Sequence, residues 1–249
     1  MKNNIKYLIL FCTACMFFTS CDKYENTAEP SKITYLPKIT ILGEPVIDLD
    51  CSATSYTDEG ATAEEAGQAI ELTTTVNASY FGSAEVDGTD TYQINYSAEN
   101  KDGIPGAAIR YVNWPECNGD LTTSIAGMYT AYLTRTDGGG NVLATPQYQG
   151  VGPIIIKDLG NNEYAISDLQ GGWYEYGRSL GVPYATLGQT LTANDIPGND
   201  FTFGPPVETG SFGGLDTMTS FTVDAGAKTI DWVVEWEFGF TFDVHLEQN

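Results

Sequence analysis

The chain is predicted to be all-β, and three observations predict it: period-two alternation of apolar residues, turns marked by glycine, and very little helix-like sequence. Tyr92, Ile94, Tyr96 and Ala98 alternate with Gln93, Asn95 and Ser97, as a sheet with one buried face requires. Asp87-Gly88 and Asp102-Gly103 bracket that strand as turns. Ile154-Ile155-Ile156 is a short β-branched run. Beyond it Tyr164 and Ile166 alternate with Glu163, Ala165 and Ser167. The clusters at 137–141 and 160–162 read as turns. Residues 61–68 form the single helix-like piece. The longest alternation is C-terminal: Ile230, Trp232, Val234, Trp236, Phe238, Phe240, Phe242, Val244 and Leu246 share one parity, with Val233 the apolar intruder on the other. A two-residue hairpin would swap that parity, so the spacing predicts one long bent strand, or two strands joined through a bulge at Gly239.

The N-terminus carries location rather than fold. Lys2 and Lys6 supply a positive n-region, 5–18 is largely apolar, and Phe18-Thr19-Ser20-Cys21 follows, the layout of a secretory signal. Its ending resembles the lipobox of bacterial lipoproteins, which implies lipidation of Cys21. No later run approaches the ~18 apolar residues of a membrane span, so attachment is expected through lipid alone. Residues 22–33 are polar and read as a tether.

Composition excludes some functions. The formal net charge is −22, and loss of Lys2 and Lys6 with the signal leaves 33 acidic residues against 9 basic ones. Such a field repels nucleic acid, so no nucleic-acid partner is expected. An acidic chain invites a calcium ion, but there is no D-x-[DN]-x-[DN]-G loop. His245 is the one histidine, and Cys51 and Cys117 lack the C-x-x-C spacing of a redox or zinc site. The chain is therefore expected to be no enzyme, with no cofactor and no metal. Of five cysteines, Cys12 and Cys15 leave with the signal, and Cys51 and Cys117 are either bridged or separately buried thiols.

Two segments resemble a bacterial immunoglobulin-like module. Tyr56-Thr57-Asp58-Glu59-Gly60-Ala61-Thr62-Ala63 matches a Y-x-D-x-G-A-x-A signature, and Thr91 to Ala98 is followed by Asn100, Asp102-Gly103 and a closing strand from Ala108 to Val112. The resemblance implies a sandwich over 34–116 whose first strand runs beside its last, which favours a Cys51–Cys117 bridge. The acidic residues Asp22 and Glu25 behind Cys21 resemble the surface-export signal of Bacteroidetes lipoproteins. The resulting layout is signal peptide 1–20, lipidated Cys and tether 21–33, immunoglobulin-like domain 34–116 and a β-sandwich or barrel over 117–249. It is similar to the accessory surface lipoproteins associated with SusC- and SusD-like glycan importers. That resemblance implies an outer-membrane protein facing the cell exterior, with a polysaccharide or such an importer as partner.

The candidate glycan-binding residues lie in 171–184, where glycines break pairing and aromatics crowd together. Trp173, Tyr174, Tyr176 and Tyr184 offer ring faces for sugar C–H groups, and Arg178 and Glu175 offer polar contacts. The competing expectation is that these rings pack between sheets. Trp114, just ahead of Pro115, reads as a plug between the two domains or an exposed platform. Asp216-Thr217-Met218 resembles a Bacteroidetes O-glycosylation triplet and implies an exposed loop. The alternative function is a structural or adhesive surface protein that binds a protein partner through its sheet edges.

Overall fold

The computed structural model describes residues 33–249. The signal segment 1–20, Cys21 and residues 22–32 of the tether lie outside the described residues. No helix among the described residues is long and apolar enough to cross a membrane. Leu36 to Asn249 form one compact unit, built almost wholly of strands.

The N-terminal strands are β1 (Lys38–Ile41), β2 (Val46–Asp48), β3 (Ala61–Glu65), β4 (Gln68–Ala69), β5 (Thr73–Ala78), β6 (Asp90–Glu99) and β7 (Pro105–Trp114). They form a three-stranded sheet, β1-β3-β4, and a four-stranded sheet, β2-β7-β6-β5. β6 alternates as its sequence requires, with Tyr92, Ile94, Tyr96 and Ala98 buried. Both sheets feed one apolar cluster, in which Tyr92, Ile94, Tyr96, Val112 and Trp114 pack with Ile39, Ile41 and Ile47. Residues 61–68 are not helical: β3 turns into β4 through Ala66 and Gly67, both at positive φ, in a two-residue hairpin. The alanines and glutamates there favour a helix locally, but Gly67 breaks it and Ala63 and Glu65 are buried on the sheet.

Arg110 of β7 is buried at 1% exposure, which a guanidinium tolerates only when paired. It donates to Asp58 and, from its other nitrogens, to the carbonyls of Leu42 and Glu44. Asp58 also accepts from the hydroxyls of Tyr96, at 2.8 and 2.7 Å, and Tyr56, at 3.3 Å. The Asp of the Y-x-D-x-G-A-x-A stretch thus pins the 42–44 and 56–60 loops to the sheet.

β2 runs parallel to β7, with Asp48 opposite Asn113. Continuing both strands brings Cys51 and Cys117 together, and they form a disulfide with Cα atoms 5.0 Å apart. Closing a loop across 66 residues stabilises the fold by about 4 kcal/mol on the chain-entropy argument.

The C-terminal strands are β8 (Gly127–Asp137), β9 (Val142–Leu143), β10 (Gln149–Gly160), β11 (Glu163–Ile166), β12 (Thr190–Asp195), β13 (Asp200–Phe203), β14 (Val207–Glu208), β15 (Leu215–Asp224), β16 (Thr229–Trp236) and β17 (Phe240–Gln248). All ten join one sheet, ordered β13-β12-β11-β10-β8-β17-β16-β15-β14 with β9 on β8. Its two end strands, β13 and β14, are separated in sequence only by Gly204-Pro205-Pro206. Four residue steps reach at most ~14 Å, so the sheet must curl until its ends approach: a half-barrel. Neither edge is paired to the other, so the barrel is not closed.

Of the two expectations for the C-terminal alternation, two strands joined at Gly239 is the one that holds, and they form a hairpin rather than one bent strand. Trp236 pairs with Phe240 across the loop Glu237-Phe238-Gly239. A three-residue loop keeps parity, and Gly239 supplies the positive φ that it needs. Asp216-Thr217-Met218 lies in β15 rather than in a loop, and Asp216 and Met218 are buried.

Loss of the Asp58 charge would leave Arg110 buried without its counter-charge. Asp58→Asn is therefore expected to lower stability by about 3 kcal/mol, read as a shift in urea midpoint at constant m-value. A midpoint unchanged from the parent would contradict this account of the loops.

Candidate functional site

The 171–184 segment does not form an exposed platform. It passes inside the half-barrel, and its rings fill the space that the curled sheet encloses. Trp173 is at 0% exposure, stacked on Tyr148 with centroids 3.5 Å apart and edge-on to Phe242 at 5.6 Å. Tyr174 is buried against Phe212 and Trp236. Tyr184 is partly buried, on Phe212 at 4.9 Å. Arg178 is exposed, with its guanidinium 5.5 Å from the Tyr174 ring centre and its Nε donating to the Tyr148 hydroxyl at 3.3 Å. Trp173 and Tyr174 therefore cannot stack on a sugar, because the sheet already covers them. The glycines answer to the same packing. At Gly171, φ is +68° and an added Cβ would fall 2.6 Å from Leu133 and 2.7 Å from Val244.

Buried carboxylates hold this interior segment in place. Asp168 accepts from the backbone N–H groups of Gln170 at 3.0 Å and of Gly172 and Thr186 at 3.1 Å. Burial and the neighbouring Glu175 push its pKa up to about 8, against the pull of those amides. Asp216 accepts from Thr209, Gln170 and Thr186 at 2.5, 2.8 and 3.1 Å. Burial raises its pKa too. Asp216 Oδ1 has no hydrogen-bond partner.

Tyr176 reaches a cavity separate from the hollow that Val182 and Pro183 line. A cleft of about 470 Å³ lies where the four-stranded sheet meets β8 and β10, lined by Trp114, Tyr80, Tyr176, Asn113 and Asp48 among others. Trp114 keeps only 5% exposure, and that remnant faces the cleft. Asp90 fixes the wall that carries Tyr80. Its carboxylate accepts from the N–H groups of Ser79 at 3.1 Å, Tyr80 at 3.0 Å, Phe81 at 2.7 Å and Thr91 at 2.6 Å. The Tyr80 hydroxyl donates to Glu175 Oε1 at 2.6 Å and lies 2.9 Å from the Tyr176 hydroxyl, which donates to the Pro153 carbonyl at 3.2 Å. Burial raises the pKa of Glu175, with the two tyrosine hydroxyls pulling the other way. On the opposite wall the Asn113 amide donates to Asp48 at 2.7 Å. The cleft thus offers one indole, two tyrosines and a short set of fixed polar groups, in a volume typical of a small-ligand site.

Sequence reasoning reached Trp114 and Tyr176 but missed Tyr80, Asp90, Asn113 and Asp48. These residues lie on different strands and loops and meet only in the fold. The one local signal was Tyr80-Phe81, an aromatic pair ahead of a glycine in an otherwise polar loop.

Comparison with known proteins places the C-terminal half. A family model described as "-like, C-terminal domain" matches residues 118–248. That is more than half of the chain, which belongs to the family this domain defines. The lipoprotein BT2262 from Bacteroides thetaiotaomicron shares the fold, with a TM-score of 0.54 and 24% identity over 85% of this chain and 100% of that one. No curated protein matches.

Asp168, Glu175 and Asp216 each titrate above the ordinary carboxyl range, so the folded state holds protons that the unfolded chain releases. Stability is expected to rise as pH falls from 8 toward 5, by up to about 1.4 kcal/mol per pH unit for Asp168, with Glu175 and Asp216 acting in the same direction. Below about pH 4 the trend reverses, because Asp120, held low by the Thr123 and Thr122 amides, and Asp137, held low by the Asn141 side chain, become protonated. Urea midpoints at pH 5, 6, 7 and 8 test this, with Asp168→Asn expected to flatten the slope. A midpoint that climbs toward pH 8 contradicts it.

Proposed function

We propose that the protein is a lipid-anchored lipoprotein of the outer-membrane surface that captures glycan without catalysis, in the cleft over Trp114. The cleft's geometry carries this reading: two half-buried tyrosines, Tyr80 and Tyr176, above the buried Trp114, with polar groups at fixed positions on the wall. Sugar rings present C–H faces to aromatics and hydroxyls to such groups. The candidate ligand surface therefore moves from Trp173 to Trp114, and only Tyr176 of the original set stays in it. The lipobox-like ending at Cys21, together with a shared fold with a Bacteroides lipoprotein, supports the anchor. The 34–116 segment serves as an immunoglobulin-like module holding one wall of the cleft, and a SusC/SusD-like importer is the expected partner on the membrane.

An adhesive role is favoured by a different observation. β5 ends the four-stranded sheet, and Thr73, Thr74 and Thr75 are exposed along it. A partner strand added there would satisfy the open edge.

Affinity electrophoresis through gels containing a panel of polysaccharides tests the glycan reading. At least one polysaccharide is expected to retard the protein, with a several-fold loss in Tyr176→Phe and a larger one in Trp114→Ala. Retardation by none, or equal retardation of both variants, removes the cleft from consideration. The anchor is tested separately: cells fed labelled palmitate should label the parent protein and not Cys21→Ser.

A further inference from the structure

We infer that the cleft selects ligands without negative charge, so that its glycan is neutral or amine-bearing rather than a uronate or a sulfated sugar. This rests on the cleft reading above and concerns the donors and acceptors on its walls.

No lysine, arginine or histidine is among the lining residues, whereas Asp48 and Asp90 are. The two carboxylates differ in what they have left to offer. Asp90 is buried and saturated by four backbone N–H groups, so it shapes the wall. Asp48 is exposed, with the Asn113 amide on Oδ1. A third carboxylate stands behind the aromatic wall, where Glu175 takes the Tyr80 hydroxyl hydrogen. The Tyr176 hydroxyl hydrogen goes to the Pro153 carbonyl, or to Tyr80. Both phenol hydrogens are therefore already taken by protein acceptors, and what the tyrosines have left for a ligand is lone pairs.

A ligand meeting the two tyrosine hydroxyls must donate hydrogen bonds. Sugar hydroxyls do so, and an ammonium does so with a charge that Asp48 favours. A carboxylate or sulfate only accepts, and would set its charge against Asp48 with no cation to receive it. Desolvating an unpaired charge in a cleft is costly. The net charge of −22 repels such ligands before they arrive.

Matched oligosaccharides that differ only in charge provide the test, by isothermal titration at fixed ionic strength. Suitable pairs are oligogalacturonate against its full methyl ester, and a neutral hexasaccharide against its sulfated form. Tenfold or greater preference for the uncharged member is expected. Asp48→Asn should narrow that preference at least threefold. Equal or tighter binding of the anionic member overturns the charge rule and leaves the cleft reading standing, provided Tyr176→Phe still weakens binding. An unchanged preference in Asp48→Asn also counts against the rule. Binding of neither member in any pair overturns both readings together.

Discussion

Buried backbone N–H groups must be hydrogen-bonded, and that requirement governs this structure more than any single apolar contact. The chain carries two long irregular stretches, a half-exposed one over 79–89 and a largely buried one over 167–186. Neither can satisfy its amides through a sheet ladder. Each is organised instead around an aspartate: Asp90 gathers the amides of 79–81 and 91, and Asp168 gathers those of 170, 172 and 186. A carboxylate suits this task because it accepts several hydrogen bonds at once and donates none. The cost is desolvation, which shows as the raised titration of Asp168.

The cleft follows from those two anchors. Asp90 orients the loop that presents Tyr80, and Asp168 orients the segment that ends in Tyr176. The two tyrosines then meet at Glu175, between β5 and β6 on one side and the half-barrel on the other. The floor is supplied by strand ends, since Trp114 closes β7 and Met128 opens β8. The disulfide between Cys51 and Cys117 lies just past the same strand ends. It ties the chain on both sides of Trp114, so the indole is held by covalent structure as well as by packing. A site built this way is rigid without needing regular structure in its own wall.

Period-two alternation made β6 and the C-terminal strands readable, because each has one buried face and a strict spacing. The reading failed where several structures share one local pattern. A three-residue loop preserves parity as well as a bulge does, so the β16–β17 hairpin and a bent strand look alike until pairing is known. Residues 61–68 have helix-favouring alanines and glutamates, but two positive-φ residues and burial of Ala63 on the sheet outweigh that preference. The 171–184 segment misled in a more instructive way. Glycines beside aromatics describe a surface loop that bends around a ligand, and equally an interior loop that bends around Leu133 and Val244. Only the enclosing sheet distinguishes them, and its curl depends on which strands become neighbours. The cleft was hidden for the same reason, since Tyr80, Asn113 and Tyr176 are distant in sequence.

The acid excess reads differently once the interior is known. A strongly negative chain is expected to place its carboxylates in water, and many of these are exposed. Yet Asp90, Asp168, Glu175 and Asp216 are buried, and they accept hydrogen bonds from amides, hydroxyls and a glutamine rather than from cations. Two ion pairs contrast with these: Arg110 with Asp58, the arginine inside, and Lys101 with the buried Glu65. With few basic residues available, the fold anchors its loops through hydrogen-bond donors that every chain possesses. That choice frees it from needing buried counter-ions and leaves the walls of the cleft without fixed positive charge. The same scarcity of bases that shapes the interior therefore sets the electrostatic character of the site.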